Sequence, residues 1–223
     1  MRAKLSVVIP VLNAAQNLPD CLAALMEGVE AGLIRELVIS DGGSSDATVQ
    51  IATEAGAVII EGLASRGGQL RRGAIVAEGE WLLFLHADSM LPAGWSACVA
   101  AHLKTGRPAH FKLRFDAAGF APKLVAFWAN MRSRLFRLPY GDQGLLISRG
   151  DYDVSGGYLD IPLMEDVAMS CALGRRLQAL PMALTTSAAR YMREGWLRRG
   201  ARNLAVLMRY FAGADPEHLT RRY

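Results

Sequence analysis

Cysteine is scarce. The 223 residues hold only Cys21, Cys98 and Cys171, far apart, so neither a disulfide framework nor a zinc or redox Cys pair is available. Each falls in a predicted helix, where a reduced, buried packing residue is expected, as suits a cytoplasmic protein. Long apolar runs are also missing. No stretch reaches the roughly 18 residues that a membrane-spanning helix needs. Leu5 to Ile9, behind Arg2 and Lys4, imitates a signal peptide. Pro10 and Asn13 end that run early, and no small-residue cleavage site follows. There is no internal repeat, low-complexity tract or linker, so residues 1–223 read as one domain. Strong charge is absent too. A net +4 suits an anionic small molecule, an anionic membrane face or nucleic acid, and selects none of them. The basic residues are not interleaved with aromatics as a stacking platform, so no nucleic-acid partner is expected. Hydrophobic residues make up 52% of the chain, which excludes general disorder.

What is present is a rhythm. Strands are predicted at 5–9, 36–40, 57–60 and 81–89, separated by helices that begin near Asn17, Asp46 and Arg66. Strand and helix in alternation specify an α/β fold with a mostly parallel sheet and helices on both faces. The stretch from Trp81 to Ser89 is the most informative. Its apolar run reads as a strand buried on both faces, and it ends in the polar tip His86-Ala87-Asp88. In such sheets ligands bind beyond the carboxyl ends of the strands, which is where Asp88 falls. The second half is less regular. Residues 110–115 alternate as a half-exposed strand, antiparallel or at an edge, and 144–148 form another short strand. Helices are predicted at 122–136, 163–173 and 196–211, the last of them amphipathic.

Several stretches carry chemistry-bearing residues, each with a plainer alternative. Asp41-Gly42-Gly43-Ser44-Ser45-Asp46 joins a strand to a helix, where glycines allow close approach of a ligand. Asp41 would repel a phosphate, so it suits a base or ribose; an ordinary Gly-rich turn is the alternative. The spacing is neither a dinucleotide fingerprint nor a P-loop. Arg66-Gly67-Gly68 opens a helix, and Arg66 has the planar fork to clamp a base or phosphate, unless it is simply solvated. Asp88 suits Mg²⁺ or Mn²⁺, which bind through one or two carboxylates and substrate phosphates. Glu165-Asp166 begins a helix as either a general base or a dipole-stabilised cap. Asp142-Gln143, between Gly141 and Gly144, reads as an acceptor-facing loop or as a turn.

Taken together, residues 6–13, 38–48, Arg66-Gly67, 84–88 and Glu165-Asp166 resemble the family 2 glycosyltransferases in that family's order, over roughly residues 1–170. The resemblance implies a GT-A (Rossmann-like) fold with a small antiparallel extension in the second half. It implies a nucleotide-sugar donor, with a UDP-sugar favoured, a divalent metal (Mg²⁺ or Mn²⁺), and inversion at the anomeric carbon. Residues 1–110 become the nucleotide-binding half; residues 111–223, with the C-terminal amphipathic helix, become the acceptor half. Pro10, Asn13, Asp41, Arg66 and Gly67 would hold the nucleotide, Asp88 the metal, and Asp166 would be the catalytic base. His86, Asp142, Gln143, Glu165, Arg193, Arg198 and Arg199 become candidate contacts to acceptor or diphosphate. His86 stands where the family usually has the first Asp of its metal motif, which bears on donor preference. The Gln-x-x-Arg-Trp motif of processive synthases is absent, which argues against a polysaccharide synthase. The tail from Tyr210 through Tyr223 is similar to a compact bacterial subgroup, some of whose members are assigned to arsenosugar biosynthesis.

Two rivals stand beside this reading. A sugar-phosphate nucleotidyltransferase would want a Gly- and Arg/Lys-rich loop after the first strand, and Pro10-Val11-Leu12-Asn13 is not one. A non-catalytic nucleotide- or membrane-binding module would bind without turnover. The final helix places Leu197, Ala201, Leu204, Met208 and Phe211 on one side and arginines on the other. That side either packs on the core or meets an anionic bilayer, as a cytoplasmic protein peripheral on the inner face of the membrane would.

Overall fold

In the computed structural model, residues 3–220 are described, so the ends at Arg2 and Tyr223 lie outside the described residues. The first half runs β1 (Leu5–Val11), α1 (Leu18–Glu30), β2 (Ile34–Asp41), α2 (Thr48–Glu54), β3 (Val58–Glu61), α3 (Arg66–Val76) and β4 (Trp81–Phe84). The second half runs β5 (Ser89–Met90), α4 (Trp95–Leu103), β6 (Ala109–Phe115), α5 (Phe120–Phe136), β7 (Leu145–Ser148), α6 (Arg149–Val154), α7 (Glu165–Leu173), β8 (Gln178–Thr186), α8 (Ala189–Glu194), α9 (Trp196–Phe211) and α10 (Pro216–Thr220). The strands form one sheet in the order β3-β2-β1-β4-β7-β6-β8-β5. Strands β3, β2, β1 and β4 are parallel; β7 enters antiparallel beside β4 and starts the second half. This is the α/β fold and the antiparallel extension expected.

Consecutive residues of the central strands serve opposite cores. Val7, Ile9 and Leu83 pack with Leu18 of α1 and Trp95 of α4, whereas Val8, Leu82 and Phe84 pack with Leu70 of α3 and Met169 of α7. An unbroken apolar run is what a strand covered on both faces requires. Two glycines set how closely helices approach. A Cβ on Gly73 would stand 2.4 Å from Val8 Cγ1, so α3 lies tight on β1. A Cβ on Gly28 would stand 2.5 Å from Trp95 Cζ2, so the indole lies against the α1 backbone. There Trp95 Nε1 donates to the Ala24 carbonyl at 3.0 Å. Glu27 then caps α4 from outside, accepting from Gly94 N and Ser96 N at 2.8 and 2.9 Å. The Ser96 hydroxyl, followed by its backbone N–H, holds the Glu27 carboxyl below its usual range.

Several expectations need correction. β4 ends at Phe84 rather than Ser89: Leu85 N still donates to Val8 O, but the chain then turns and Ser89 N bonds back to His86 O. β6 is neither an edge nor purely antiparallel, since it lies between β7 and β8 and runs parallel to β8. β8 was not legible because Pro181 interrupts it. The structure accommodates that proline at a register shift opposite His110–Lys112, where no ladder bond is needed. All three cysteines are helical as expected, but only Cys21 is buried; Cys98 is half-buried and Cys171 exposed. The final helix also differs. Leu197, Leu204, Met208 and Phe211 face outward, and the core side carries Val206, Leu207 and, unexpectedly, Arg199. Among the described residues, no helix is long and apolar enough to cross a membrane.

Gly28→Ala should destabilise the chain by about 1–3 kcal/mol through overpacking against Trp95. Adding Trp95→Phe should cost less than the sum of the two single changes. Urea unfolding of the three variants measures this coupling.

Candidate active site

A cleft of about 550 Å³ opens beyond the carboxyl ends of β1 and β4. Its wall on one side is the Pro10–Ala14 loop with Arg66; His86 and Asp88 lie at its base, and Gly141, Asp142, Glu165 and Asp166 face them. Strand order reverses beside β4, and that is where open α/β sheets bind ligands.

The first-half loops are stitched together by their own polar side chains. Asp41 accepts from Gly43 N, Ser44 N and Ser44 Oγ at 2.8, 2.9 and 2.5 Å. Asn13 adopts φ 49°, and its Oδ1 accepts from Ser45 N at 2.8 Å. Asp46 accepts from Ala15 N at 3.1 Å and Thr48 N at 3.0 Å, but α2 begins at Thr48 with Ala47, rather than Asp46, in the capping position. Beneath these loops the buried Gln69 amide donates to Val11 O and Ser40 O, both at 2.8 Å. Pro10, Asn13 and Arg66 therefore line the cleft, while Asp41, 2% exposed, lies behind it and shapes the loop. Gly67 is also behind. A Cβ there would stand 2.0 Å from Leu159 O, so glycine lets α3 meet the segment that leads to α7.

α7 opens at Met164, whose φ of 68° is uncommon for a side chain of its size. That turn presents two neighbouring carboxylates in unlike surroundings. Asp166 Oδ2 accepts from Gly141 N and its Oδ1 from Val167 N, both at 2.7 Å, and the residue lines the cleft. Glu165 is 1% exposed, and among the described residues no side chain hydrogen-bonds its carboxyl; Arg66 Nε stands 3.8 Å from Oε1. Burial, then the charge of Asp166, push the Glu165 carboxyl up to about 8.

His86 is held neutral. Burial first, then the Arg66 and Arg190 charges, bring its imidazole down to about 3. The ring lies where a Cβ on Gly141 would come within 2.5 Å of Nε2, so glycine at 141 admits it. Burial also raises the Asp88 carboxyl, against its own backbone N–H, Arg190, Arg66 and the Thr186 hydroxyl. Asp142 is raised to about 6 by burial, opposed by Arg132 and reinforced by Asp166 and Asp88. Among the described residues, no cluster of three or more His, Cys, Asp or Glu is gathered as a metal cage. One poorly solvated carboxylate, Asp88, nonetheless fits Mg²⁺ or Mn²⁺ that arrives with a diphosphate and keeps its waters.

The remaining candidates divide. Arg199 lines the cleft and is 5% exposed, with Nη1 2.9 Å from Glu194 Oε1. Arg193 and Arg198 are exposed and outside the lining, Arg193 standing 3.8 Å from the same Glu194 oxygen. Gln143 is fully buried and turned away; it donates to Phe111 O at 3.0 Å and accepts from Ser133 Oγ at 2.6 Å. It braces the loop that carries Gly141 and Asp142. Sequence reasoning missed Thr186, Arg190, Tyr191 and Asn203, all of which line the cleft. The available signal was the cluster of basic and aromatic residues at 190–203, in which the arginines at 193 and 198 drew attention instead.

A sheet of this order with its cleft at the reversal is the GT-A architecture. Residues 6–147, more than half of the chain, match the profile of Glycosyl transferase family 2, and the chain belongs to that family. It is similar to a PGL/p-HBAD biosynthesis glycosyltransferase of Mycobacterium bovis, 38% identical over 111 residues covering 46% of this chain and 43% of the relative. The chain spans less than half the length of such curated relatives. Its fold is similar to that of S. aureus TarS, with a TM-score of 0.65 at 16% identity, covering 97% of this chain and 41% of the other. It is also similar to glucosyl-3-phosphoglycerate synthase of Mycobacterium tuberculosis, solved with Mn²⁺, UDP and glucosyl-3-phosphoglycerate. There the TM-score is 0.58 at 20% identity, covering 83% and 70% of the two chains.

Glu165 titrates above its unfolded value, so the native state binds the extra proton between about pH 4.5 and 8 and loses stability as pH rises through that window. Glu165→Gln should remove this loss. Its melting temperature relative to wild type should therefore climb steadily from pH 5 to pH 8, and a constant difference would show that Glu165 titrates normally.

Proposed function

We propose that the chain transfers a sugar from a nucleotide-sugar donor, with a UDP-sugar favoured, to an acceptor hydroxyl with inversion at the anomeric carbon. The observation that carries this reading is the Asp166 carboxylate, which lines the cleft and is held by the Gly141 and Val167 N–H groups. A hydroxyl is a poor nucleophile until its proton leaves, and a fixed carboxylate can take that proton during attack. Glu165, one residue away, is 1% exposed beside Arg66, so in this reading the acceptor hydroxyl meets Asp166.

In this reading residues 1–110 hold the donor and residues 111–223 the acceptor. Pro10 and Asn13 border the nucleoside, and Asp41 serves it by holding the loop in shape. Arg66 and Arg190 face His86 and Asp88 and place positive charge where the diphosphate would lie. Asp88 would hold Mg²⁺ or Mn²⁺, and such an ion, when bound, neutralises charge on a departing nucleoside diphosphate. The neutral imidazole of His86 offers a hydrogen bond without adding charge. The chain works in the cytoplasm, peripheral on the inner face of the membrane.

Asp166→Asn keeps shape and much of the hydrogen bonding but cannot act as the base. Transfer should fall by at least ~10²-fold with UDP affinity nearly unchanged. Near-normal turnover in Asp166→Asn would remove Asp166 from the chemistry, and UDP binding by a wild type with no turnover would favour the binding-module reading. For the metal, Mn²⁺ should tighten UDP binding to wild type in calorimetry, and Asp88→Ala should abolish that gain. An equal response in both would defeat the assignment of Asp88.

A further inference from the structure

α5 and α9 pack against each other, and each turns an apolar stripe outward. On α5 the stripe is Phe120, Phe127, Trp128 and Leu135, which are 80%, 59%, 58% and 64% exposed. Their spacing keeps them within about one third of the helix circumference. On α9 it is Leu197, Leu204, Met208 and Phe211, again on one side, at 78%, 59%, 62% and 53% exposure. A surface helix ordinarily turns its apolar stripe to the core. α9 turns Val206 and Leu207 inward but also buries Arg199, while Leu197 stands in solvent. Exposed apolar residues in these numbers, on two helices that touch each other, mark an interaction site.

The flanking charge identifies the occupant. Lys123 and Arg134 on α5, and Arg198 and Arg209 on α9, are exposed, and neither helix contains an acidic residue. In an isologous dimer the same cations would meet one another. An anionic bilayer satisfies both features at once: acyl chains for the aromatic and aliphatic stripes, headgroups for the cations. We infer that the α5–α9 face docks on an anionic membrane surface. The opposite side of α9 carries Arg199 and Asn203 into the cleft, so docking holds the cleft within about one helix diameter of the headgroups. This deepens the peripheral placement proposed above, naming the surface and the lipid charge, and does not depend on the identity of the base.

The test is sedimentation of the full chain with phosphatidylcholine vesicles, with and without phosphatidylglycerol, at low and high salt. Wild type should bind only the phosphatidylglycerol vesicles, and high salt should weaken that binding by about tenfold or more. The pairs Phe127→Glu/Trp128→Glu and Leu204→Glu/Met208→Glu should each lose it at unchanged UDP affinity, so a failure here is separable from a failure of the transferase reading. A fold-neutral readout accompanies them: brominated phosphatidylglycerol should quench tryptophan emission in wild type and much less in Trp128→Phe. Absence of binding by wild type, binding by both Glu pairs equal to that of wild type, or a concentration-dependent dimer in light scattering that those pairs dissolve would overturn the inference.

Discussion

β4 is the constraint on which the rest depends. It is four residues long, buried on both faces, and hydrogen-bonded on both edges, to β1 in parallel and to β7 in antiparallel. A backbone so enclosed has no freedom to shift without leaving buried N–H and C=O groups unpaired. Everything at the cleft is referred to its end. The turn after Phe84 delivers His86 and Asp88, and β7 returns beside β4 from the loop that bears Gly141 and Asp142. Strand order also reverses there, the position at which open α/β sheets bind ligands.

Around that space, identical functional groups acquire different states from their surroundings. Asp166 and Glu165 are adjacent in sequence, yet Asp166 accepts from the Gly141 and Val167 N–H groups while Glu165 is 1% exposed and raised by burial. Asp88 and Asp142 are also raised by burial and partly offset by arginines. Glycine 141 links the two sides, since its N–H holds Asp166 and its missing Cβ admits the His86 ring.

The same division of labour holds at α9. Its arginines are not equivalent: Arg199 is drawn inward beside Glu194, whereas Arg198 and Arg209 remain outside. A helix that serves the cleft with one side and exposes apolar residues on another couples the site to whatever covers that surface. Amphipathic periodicity identified the two sides of this helix without revealing which of them faced the protein.

The α/β rhythm, the helices at α1, α3, α5, α7 and α9, and the polar tip after β4 were legible in the sequence because local periodicity and turn chemistry record them. Asp88, Asp166, Arg66 and the Pro10–Asn13 loop each stood out in a few consecutive residues, and the fold brings them to one cleft. β8 was not legible, since Pro181 breaks its pattern and only its partner β6 makes it a strand. Nor was the retreat of Gln143 from the cleft, because its partners Ser133 and Phe111 meet it only when the chain folds; Asp41 is instead occupied by its own turn, through Gly43 and Ser44. The sequence by itself determined the elements and the residue types available for chemistry. Tertiary structure alone decided which carboxylate is buried, which arginine faces the cleft and which side of α9 meets solvent. Those outcomes depend on burial and on neighbours distant in the chain, and no local pattern encodes either.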